Sequence, residues 1–458
     1  MRPTISKQHD LFVPPVEHDL ALELEQVDAV IGAHPEWVRL VHADLTRARG
    51  VNARAGRKGM SAAQVLRLCF LKHRLQRTPR ELAYDLADSL SLRQFLGLGL
   101  GDRSPKRSAI QDNLALVRPA TWGKLLEGFA RSPEAQEHET GDKSRIDATV
   151  VETNVHAPSD SSLLWDCVRV QTRLMALAAE SFGVAFTDFS KTAKKLHHGI
   201  FYARTQAQRE PAYREFVEVA EKVNAQVDVV LSGLRGLASS TDDRVSALIA
   251  ELDEYRLIFA RVIDQTRRRV LLGEKVPSQE KVFSIFERHT DIVVNGNRPA
   301  MYGHKITLTV GASGFTLDCV IERGNPGDVT LAVRQIERQK ALLGKAPKSV
   351  ALDGGYASNE NLEKAKALGV ERCAFSKGRG LTPEEMAGNR RTYRRLRDFR
   401  AGIEAIVSFL KRAFGLDRCT WKGWAHFQSY VWSAVFSANM TLLARARIAA
   451  SRARPCAA

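Results

Sequence analysis

The chain has 458 residues, of which 44% are hydrophobic and 26% charged, and its formal net charge is +16. This length predicts more than one domain, the apolar content excludes a disordered chain, and the lack of any run of about 18 apolar residues excludes a membrane-spanning helix. The excess of lysine and arginine favours a polyanionic partner, most simply nucleic acid, although a basic host proteome would produce the same balance.

The first third of the chain carries helix-start signals after a weakly patterned segment, residues 1–55. Ser61 and Thr78 each open a capping box, and a Ser-Pro pair at Ser104 predicts a third start. Basic residues accompany these starts, so we predict a helix-turn-helix-like DNA-binding domain at residues 56–135. A bundle with a structural or dimerising role fits this pattern equally well.

The rest of the chain shows the strand and helix patterns of an α/β fold with an insertion. Residues 140–160 begin as an apolar strand, residues 161–289 have apolar residues at helical spacing, and residues 290–445 alternate between strands and helices. We therefore predict an α/β core made of residues 140–160 and 290–445, with a large helical insertion after the first strand. Residues 446–458 form a basic tail that either contacts phosphates or is solvated.

Three acidic residues occupy positions that a purely structural role does not explain. Asp147 lies inside the apolar strand start, Asp353 follows the strand Val350–Leu352, and Glu404 lies in a helix with an apolar face. A buried carboxylate costs several kcal/mol unless it is paired or holds a cation. Because Mg²⁺ prefers oxygen ligands and two such ions promote phosphodiester chemistry, the acids predict a site for two Mg²⁺ ions, for which Mn²⁺ would substitute.

The residues around Glu404 predict one continuous helix from Arg400 to Phe414. Arg400, Glu404 and Lys411 then share a face within about 40°. An ordinary ion pair between Arg400 and Glu404, four residues apart, is the competing interpretation of this helix.

Four separated segments resemble DDE transposases of bacterial insertion sequences, in particular the ISNCY group. They are RIDATVVETNVHAPSDSSLLWD, YGHKITLTVG, VALDGGYASNENL and FRAGIEAIVSFLKRAFGLDRC, and they occur in the order found in that family. The resemblance extends from about residue 60 to residue 445. It implies a ribonuclease-H-like catalytic core that cuts and joins DNA at the ends of a mobile element.

By the same resemblance, the three acids are, in chain order, the first, second and third catalytic residues and the metal ligands. The third motif of related transposases runs Tyr-x2-Arg-x3-Glu-x6-Lys. Arg400, Glu404 and Lys411 match it, whereas Arg397 stands at the tyrosine position. The motif implies that Arg400 and Lys411 contact the DNA backbone, as a bidentate and a single-point phosphate ligand respectively.

Other polar residues near these motifs have competing interpretations. Lys305, in a strand pattern, either points at DNA or is an ordinary exposed lysine. Glu152 is an alternative to Asp147, but an odd separation along a strand directs the two side chains to opposite faces. Asp160 and Asp166 are expected to cap the next helix, with metal binding as the alternative.

Aromatic, histidine and cysteine residues carry less specific signals. Trp421 and Trp424 either pack in the core or stack on an extruded base. Adjacent His197 and His198 diverge on a helix, which favours a solvated or DNA-facing pair over metal binding. The six cysteines include no CxxC pair, so we expect reduced, mostly buried thiols rather than a zinc site or disulfides.

These patterns predict a metal-dependent transposase that acts on double-stranded DNA, both the terminal inverted repeats and the target, as a homodimer or larger assembly. The first ten residues lack the apolar core of a signal peptide, so we expect a cytoplasmic, nucleoid-associated protein without a membrane partner. A catalytically silent DNA-binding protein derived from a transposase is one alternative. A two-metal nuclease without joining activity is the other.

Overall fold

The computed structural model describes residues 18–47, 59–237, 243–294 and 299–453. Parts of the predicted N-terminal segment (residues 1–55) and basic tail (residues 446–458) lie outside these ranges. The chain divides into two compact units, one formed by residues 155–292 and one by the remainder. Within the described ranges, no helix is both long and apolar enough to cross a membrane.

Within the described ranges, eight helices precede the first strand. They are α1 (Asp19–Ala33), α2 (Pro35–Arg47), α3 (Ala62–Arg74), α4 (Pro79–Asp88), α5 (Leu90–Phe95), α6 (Arg107–Ala115), α7 (Pro119–Arg131) and α8 (Pro133–His138). The capping boxes predicted at Ser61 and Thr78 are confirmed. The third start lies at Arg107 rather than beside Ser104, and Lys106 provides no side-chain cap there. The segment expected to be weakly patterned contains α1 and α2.

The helices before the first strand share one core with the last helix of the chain, α18 (Trp424–Ala453). Val27, Phe70 and Leu125 are buried in the same cluster as Phe436 and Met440 of α18. Each such side chain contributes about 1.5–3 kcal/mol when it is fully buried. The helices between residues 56 and 135 therefore depend on a helix from the other end of the chain for their core.

Arginines near the end of α18 pair with acids of α1. Arg445 lies 3.1 Å from Glu23, and Arg452 lies 3.4 Å from Asp19. The basic tail was expected to contact phosphates or to be solvated. Arg452 of this tail is 65% exposed, so its ion pair with Asp19 leaves it largely solvated.

A mixed sheet of six strands positions the acidic residues. The strands are β1 (Lys143–Glu152), β2 (Asp291–Val293), β3 (Met301–Gly311), β4 (Thr316–Ile321), β5 (Ser349–Leu352) and β6 (Arg372–Phe375), in the order β2-β3-β1-β5-β6 with β4 paired to β3. β1 is antiparallel to β3 and parallel to β5. Ile146 of β1 lies opposite Leu352 of β5, so the residues that follow them, Asp147 and Asp353, are neighbours.

The helices that follow β4 include the one expected to carry the third acid. They are α13 (Ala332–Leu343), α14 (Asn359–Ala367), α15 (Pro383–Ala387), α16 (Arg390–Ala401) and α17 (Ile403–Phe414). The prediction of one helix from Arg400 to Phe414 is wrong, because α16 ends before Gly402 and α17 begins after it. The Arg145 guanidinium of β1 lies where a Cβ on Gly402 would be and donates to the Phe399 carbonyl at 2.9 Å, which stabilises this break.

Residues 155–292 form a helical unit that overlaps the insertion predicted at residues 161–289. The unit contains α9 (Asp160–Phe182), α10 (Ser190–Tyr202), α11 (Gln206–Leu237), α12 (Asp243–Thr266) and a π-helical turn, Arg267–Leu271. Phe216, Val223 and Phe259 are among the buried side chains of its own hydrophobic cluster. A separate core of this kind is typical of an independent domain.

Candidate active site

Asp147 and Asp353 meet at one nitrogen of Arg400. Arg400 Nη2 lies 2.7 Å from Asp147 Oδ2 and 3.4 Å from Asp353 Oδ1. These two carboxylate oxygens are therefore no further apart than the sum of the two distances. The parallel β1–β5 pairing thus brings together the two aspartates that the sequence singled out.

Glu404 reaches the other nitrogen of the same guanidinium. Arg400 Nη1 lies 3.3 Å from Glu404 Oε1, although the Glu404 side chain is 73% exposed. The ion pair that competed with a catalytic role is therefore present, and it joins Glu404 to the two aspartates. Arg397, at the tyrosine position of the motif, lies 3.7 Å from Asp398.

A cation already lies among the three carboxylates. In the described part of the chain, no group of three or more His, Cys, Asp and Glu side chains is arranged to hold a metal ion directly. The acids converge instead on the Arg400 guanidinium, which stands in for a positive ion. The groups that converge on Arg400 are all carboxylate oxygens, the ligands that Mg²⁺ prefers, so their chemistry fits a divalent cation in place of the guanidinium.

The two aspartates differ in acidity because their surroundings differ. Burial raises the pKa of Asp147 and outweighs the opposing effect of Arg400, while Asp353 and Asp328 raise it further. Burial also acts to raise the pKa of Asp353, but the hydrogen bond from Ser376 at 2.7 Å, the Gly354 N–H and Arg400 together lower it. Asp353 is therefore the more firmly ionised of the two.

Asp328 is a fourth carboxylate near the site, and the sequence did not single it out. Lys305 Nζ donates to Asp328 Oδ1 at 3.0 Å and to the Pro326 carbonyl at 2.7 Å, and the lysine side chain is mostly buried. A Cβ at Gly355 would lie 2.8 Å from Asp328 Oδ2, so glycine leaves room for this carboxylate. Lys305 is therefore not the ordinary exposed lysine that was one interpretation, and its contact with DNA stays a prediction, with Asp328 as its partner in the ligand-free protein.

Tyr356 was also missed. Its side chain is buried, and its hydroxyl has no hydrogen-bond partner among the residues that the structure describes. Burial raises the phenol pKa, and the charges of Asp328, Asp147 and Asp353 raise it further. The hydroxyl therefore stays protonated and is available as a donor close to the acids. The only sequence signal is its position three residues after Asp353.

An open cleft of about 710 Å³, the acid cleft, has Asp147 and Glu404 on its wall. Lys411 and Arg412 of α17 also line it. Lys411 Nζ lies 3.5 Å from Asp417, a long and weak ion pair that leaves the ammonium accessible to a competing anion. A wall of this kind suits a phosphodiester, because basic side chains contact phosphate directly and acids can bind it through cations.

The remaining candidates of the core unit have structural partners. Glu152 forms an ion pair with Arg418, at the far end of β1 from Asp147. Trp424 is covered by the Arg323 guanidinium, 3.6 Å from its ring centroid, and lies parallel to the Phe427 ring. Core packing therefore explains Trp424.

The acids singled out in the helical unit are paired with arginines. Ser159, rather than Asp160, caps α9. Both oxygens of Asp160 lie 3.0 Å from Arg269, and Asp166 lies 2.8 Å from Arg169. These contacts favour structural roles for both aspartates.

The cysteines match their expectation, whereas the histidine pair matches it only in part, because His197 is half-buried rather than solvated. His197 lies parallel to Trp165 with ring centroids 6.4 Å apart, and His198 is exposed. The cysteines within the described ranges are all buried and free. Cys456 lies outside those ranges.

Two family models match the chain. The model described as a transposase DDE domain matches residues 290–440, and the model described as a transposase domain (DUF772) matches residues 13–115. The first match contains Asp353 and Glu404, whereas Asp147 lies outside both. No curated protein and no solved structure matches the chain.

The sheet, the acids beside it and these matches define a transposase, an enzyme that acts on DNA. The chain belongs to the DDE transposases of insertion sequences. Members of this family generally need divalent metal ions.

Proposed function

We propose that the chain is a Mg²⁺-dependent transposase, of the ISNCY group, that cleaves the terminal inverted repeats of its element and joins the ends to target DNA. The observation that carries this proposal is the convergence of Asp147, Asp353 and Glu404 on one guanidinium. The strand order β4-β3-β1-β5-β6, with β1 antiparallel to β3 and parallel to β5, supports a ribonuclease-H-like core.

The three acids would hold two Mg²⁺ ions. Bound ions of this kind activate a water or a DNA 3′-hydroxyl as nucleophile and stabilise the leaving oxygen of a phosphodiester. Ser376 fixes the orientation of Asp353 through its 2.7 Å hydrogen bond. Arg400, released from the acids, would bind a phosphate through two parallel hydrogen bonds, and Lys411 would add a single positive charge.

DNA is the partner at this site, both as element end and as target. Because the two ends of an element are joined to one target, the active assembly would contain at least two copies of the chain. The substrate also implies a cytoplasmic, nucleoid-associated location.

Cleavage of a labelled duplex that carries the element's terminal repeat tests the proposal. Wild-type protein is expected to nick the repeat boundary in Mg²⁺ but not in EDTA, and Asp353→Asn is expected to lose the nick. Asp142→Asn is the matched control, since Asp142 lies just before β1 and pairs with Lys345 at 2.7 Å.

Two other outcomes would redirect the proposal. Tight binding of the repeat without a nick in either condition would indicate a silent DNA-binding protein. A Mg²⁺-dependent nick without joined products in a plasmid target would indicate a nuclease.

A further inference from the structure

A second cavity lies beside the acid cleft and has no role in the reaction described above. This cavity of about 740 Å³, the lysine pocket, lies between the α3–α4 connection, the end of α17 and the start of α18. Gln76, Lys411 and Asp417 line both cavities. Its volume falls within the range of ordinary ligand sites, about 300–1,000 Å³.

The wall of the lysine pocket contains a buried cation without a carboxylate partner. Lys72 is 6% exposed, and its Nζ lies 5.3 Å from the Trp421 ring centroid and 4.8 Å from that of Tyr430. Among the described residues, no carboxylate acts on Lys72, and the titratable groups that do are the thiols Cys69 and Cys419. Burial raises the pKa of Cys69 to about 12, which keeps that thiol uncharged at neutral pH. Burial lowers the pKa of Lys72.

The fold does not compensate this buried charge. An unpaired buried ammonium costs several kcal/mol, whereas a cation–π contact contributes about 0.5–2 kcal/mol. An apolar side chain of the same length would pack at this position without that penalty. The neighbouring His73 is buried, with Nε2 bonded to Ser433 at 2.8 Å, and supplies no negative charge. An anion from outside the chain would neutralise the charge of Lys72.

The surroundings of Lys72 extend this preference for anions. Five cationic side chains and one carboxylate line the pocket: Lys72, Arg77, Lys411, Arg418 and Lys422, with Asp417. Arg77, Lys411 and Arg418 form ion pairs with Asp85, Asp417 and Glu152, so Lys72 and Lys422 carry the excess positive charge among the described residues. Trp421 adds the face of a half-buried indole. A ligand with a flat aromatic part and a negatively charged part satisfies both features, and a nucleotide is such a ligand.

Gln76 forms the ridge between the two cavities. Its φ of +51° is in the left-handed region that non-glycine residues rarely adopt, and its side-chain amide donates to the Arg412 carbonyl of α17. Strained backbone of this kind persists where surrounding contacts hold it, and it clusters at ligand sites. The ridge holds the α3–α4 connection against the helix that carries Glu404 and Lys411.

We propose that the lysine pocket binds one nucleotide of the DNA strand that the acid cleft processes, with its base against Trp421 and its phosphate at Lys72 and Lys422. The proposal rests on the proposed function, because the substrate of the neighbouring cleft identifies the strand. A free nucleotide offers the same chemistry, so the experiment separates the two sources.

The test places 2-aminopurine at successive positions around the cleaved phosphate of the terminal-repeat duplex. In EDTA, where no cleavage occurs, one position is expected to change its fluorescence on binding wild-type protein. Trp421→Ala and Lys72→Met are each expected to abolish this change and to weaken binding about tenfold, in line with the loss of one stacked base or one phosphate contact. Trp424→Ala is the matched control, because Trp424 does not line the pocket.

Melting temperatures separate loss of the ligand from loss of the fold. Lys72→Met is expected to melt at a higher temperature than wild type while it loses the fluorescence change, since it removes a buried charge and keeps the volume. Trp421→Phe, which keeps an aromatic face, is expected to retain part of the change. A Lys72→Met variant that melts higher and keeps the full signal would overturn the proposal.

Two further results would also overturn it while leaving the proposed function intact. One is wild-type protein that nicks the duplex in Mg²⁺ but gives no fluorescence change at any position. The other is a Lys72-dependent affinity for free deoxynucleoside monophosphates without a signal from DNA, which would assign the pocket to a free nucleotide. Conversely, an Asp353→Asn variant that keeps the signal without nicking would separate the pocket from the chemistry.

Discussion

The acid cleft and the lysine pocket are neighbours in the same compact unit, but they balance their charges in opposite ways. Asp147 and Glu404 on the wall of the cleft share the guanidinium of Arg400 with Asp353. In the pocket, Lys72 is buried against two aromatic rings, and no acid of the described ranges acts on it. The carboxylates at the cleft therefore have a positively charged partner within the chain, whereas Lys72 in the pocket has no negatively charged partner among the described residues.

This difference predicts how each region responds to a ligand. In the proposed function, a divalent cation would displace Arg400 to bind the acids, so metal binding and release of Arg400 would be coupled. An anion that binds Lys72 in the lysine pocket would displace no carboxylate from that lysine among the described residues. Variants that remove a charge should therefore have opposite effects on the stability of the ligand-free protein in the two regions.

The largest effect is expected for Asp147→Asn. Loss of a carboxylate that holds metal removes several kcal/mol of transition-state stabilisation, so nicking of the terminal-repeat duplex in Mg²⁺ should fall by about 10³-fold or more. Glu152→Gln, on the same strand but paired with Arg418, should nick within a few-fold of wild type. Equal losses in both variants would refute the assignment of Asp147 to the acid cleft.

A smaller effect is expected on the free energy of unfolding in EDTA, with opposite signs for variants in the two regions. Arg400→Gln leaves the clustered carboxylates without their cation and should lower the free energy of unfolding by about 1–2 kcal/mol, less than a fully buried pair because the site is partly exposed. Lys72→Met should raise it by about 1 kcal/mol or more. Chemical denaturation measures both, with Lys345→Gln as a surface control within about 0.5 kcal/mol.

Addition of Mg²⁺ sharpens this comparison. The divalent ion should stabilise Arg400→Gln more than wild type, because no guanidinium has to be displaced. It should not alter the difference in unfolding free energy between Lys72→Met and wild type. A Mg²⁺ response that is identical in wild type and Arg400→Gln would show that Arg400 and the metal do not compete.

The pH dependence of stability should also differ in sign between the regions. The folded-state pKa of Asp147 is raised, so its protonated form stabilises the fold fully below pH 3.8 and that stability is lost as the pH rises through the folded-state pKa. The folded-state pKa of Lys72 is lowered, so the cost of burying its charge is relieved as the pH rises through that pKa toward 10.5.

The free energy of unfolding of wild type minus that of each variant, measured as a function of pH, gives the contribution of the substituted group to the pH dependence. The difference between wild type and Asp147→Asn should fall with rising pH above 3.8, and the difference between wild type and Lys72→Met should rise with pH below 10.5. Each slope is at most about 1.4 kcal/mol per pH unit. A flat difference for either variant would contradict the assigned environment of that residue.

The smallest effect is expected for Lys305→Met. This change leaves Asp328 without its cation, and the added negative field should raise the pKa of Asp147 further. In a plot of nicking rate against pH, the rise on the acidic side should then move to higher pH by less than about one unit. Lys340→Met, whose ammonium bonds only to the Leu368 carbonyl, should leave the profile unchanged.

Local signals in the sequence explain the parts of the site that could be predicted. An aspartate in an apolar strand start and another at a later strand end are neighbours whenever the two strands pair in parallel, as β1 and β5 do. The spacing of Arg400 and Glu404 predicts their contact even though the helix breaks at Gly402, because the break leaves the two side chains within 3.3 Å. The capping boxes at Ser61 and Thr78 depend only on residues three apart.

The features that sequence reasoning missed depend on contacts distant in the chain. The break at Gly402 coincides with Arg145, more than 250 residues earlier. The core of the first helices needs Phe436 and Met440, and no local pattern indicates which distant helix fills an apolar face. The lysine pocket likewise combines Lys72 with Trp421, which is distant in the chain. In the sequence alone, Lys72 is an ordinary basic residue near the end of α3, and nothing indicates its burial.

Affinity cleavage with iron tests the central claim most directly, because it needs neither the terminal repeat nor catalysis. Fe²⁺ replaces Mg²⁺, ascorbate and peroxide generate radicals at the bound ion, and mass spectrometry locates the backbone cuts. Cuts clustered around Asp147, Asp353 and Glu404, suppressed by excess Mg²⁺ and lost in Asp147→Asn, are the predicted result. Cuts at other positions only, or cuts that persist unchanged in Asp147→Asn, would show that these three acids do not form the metal site.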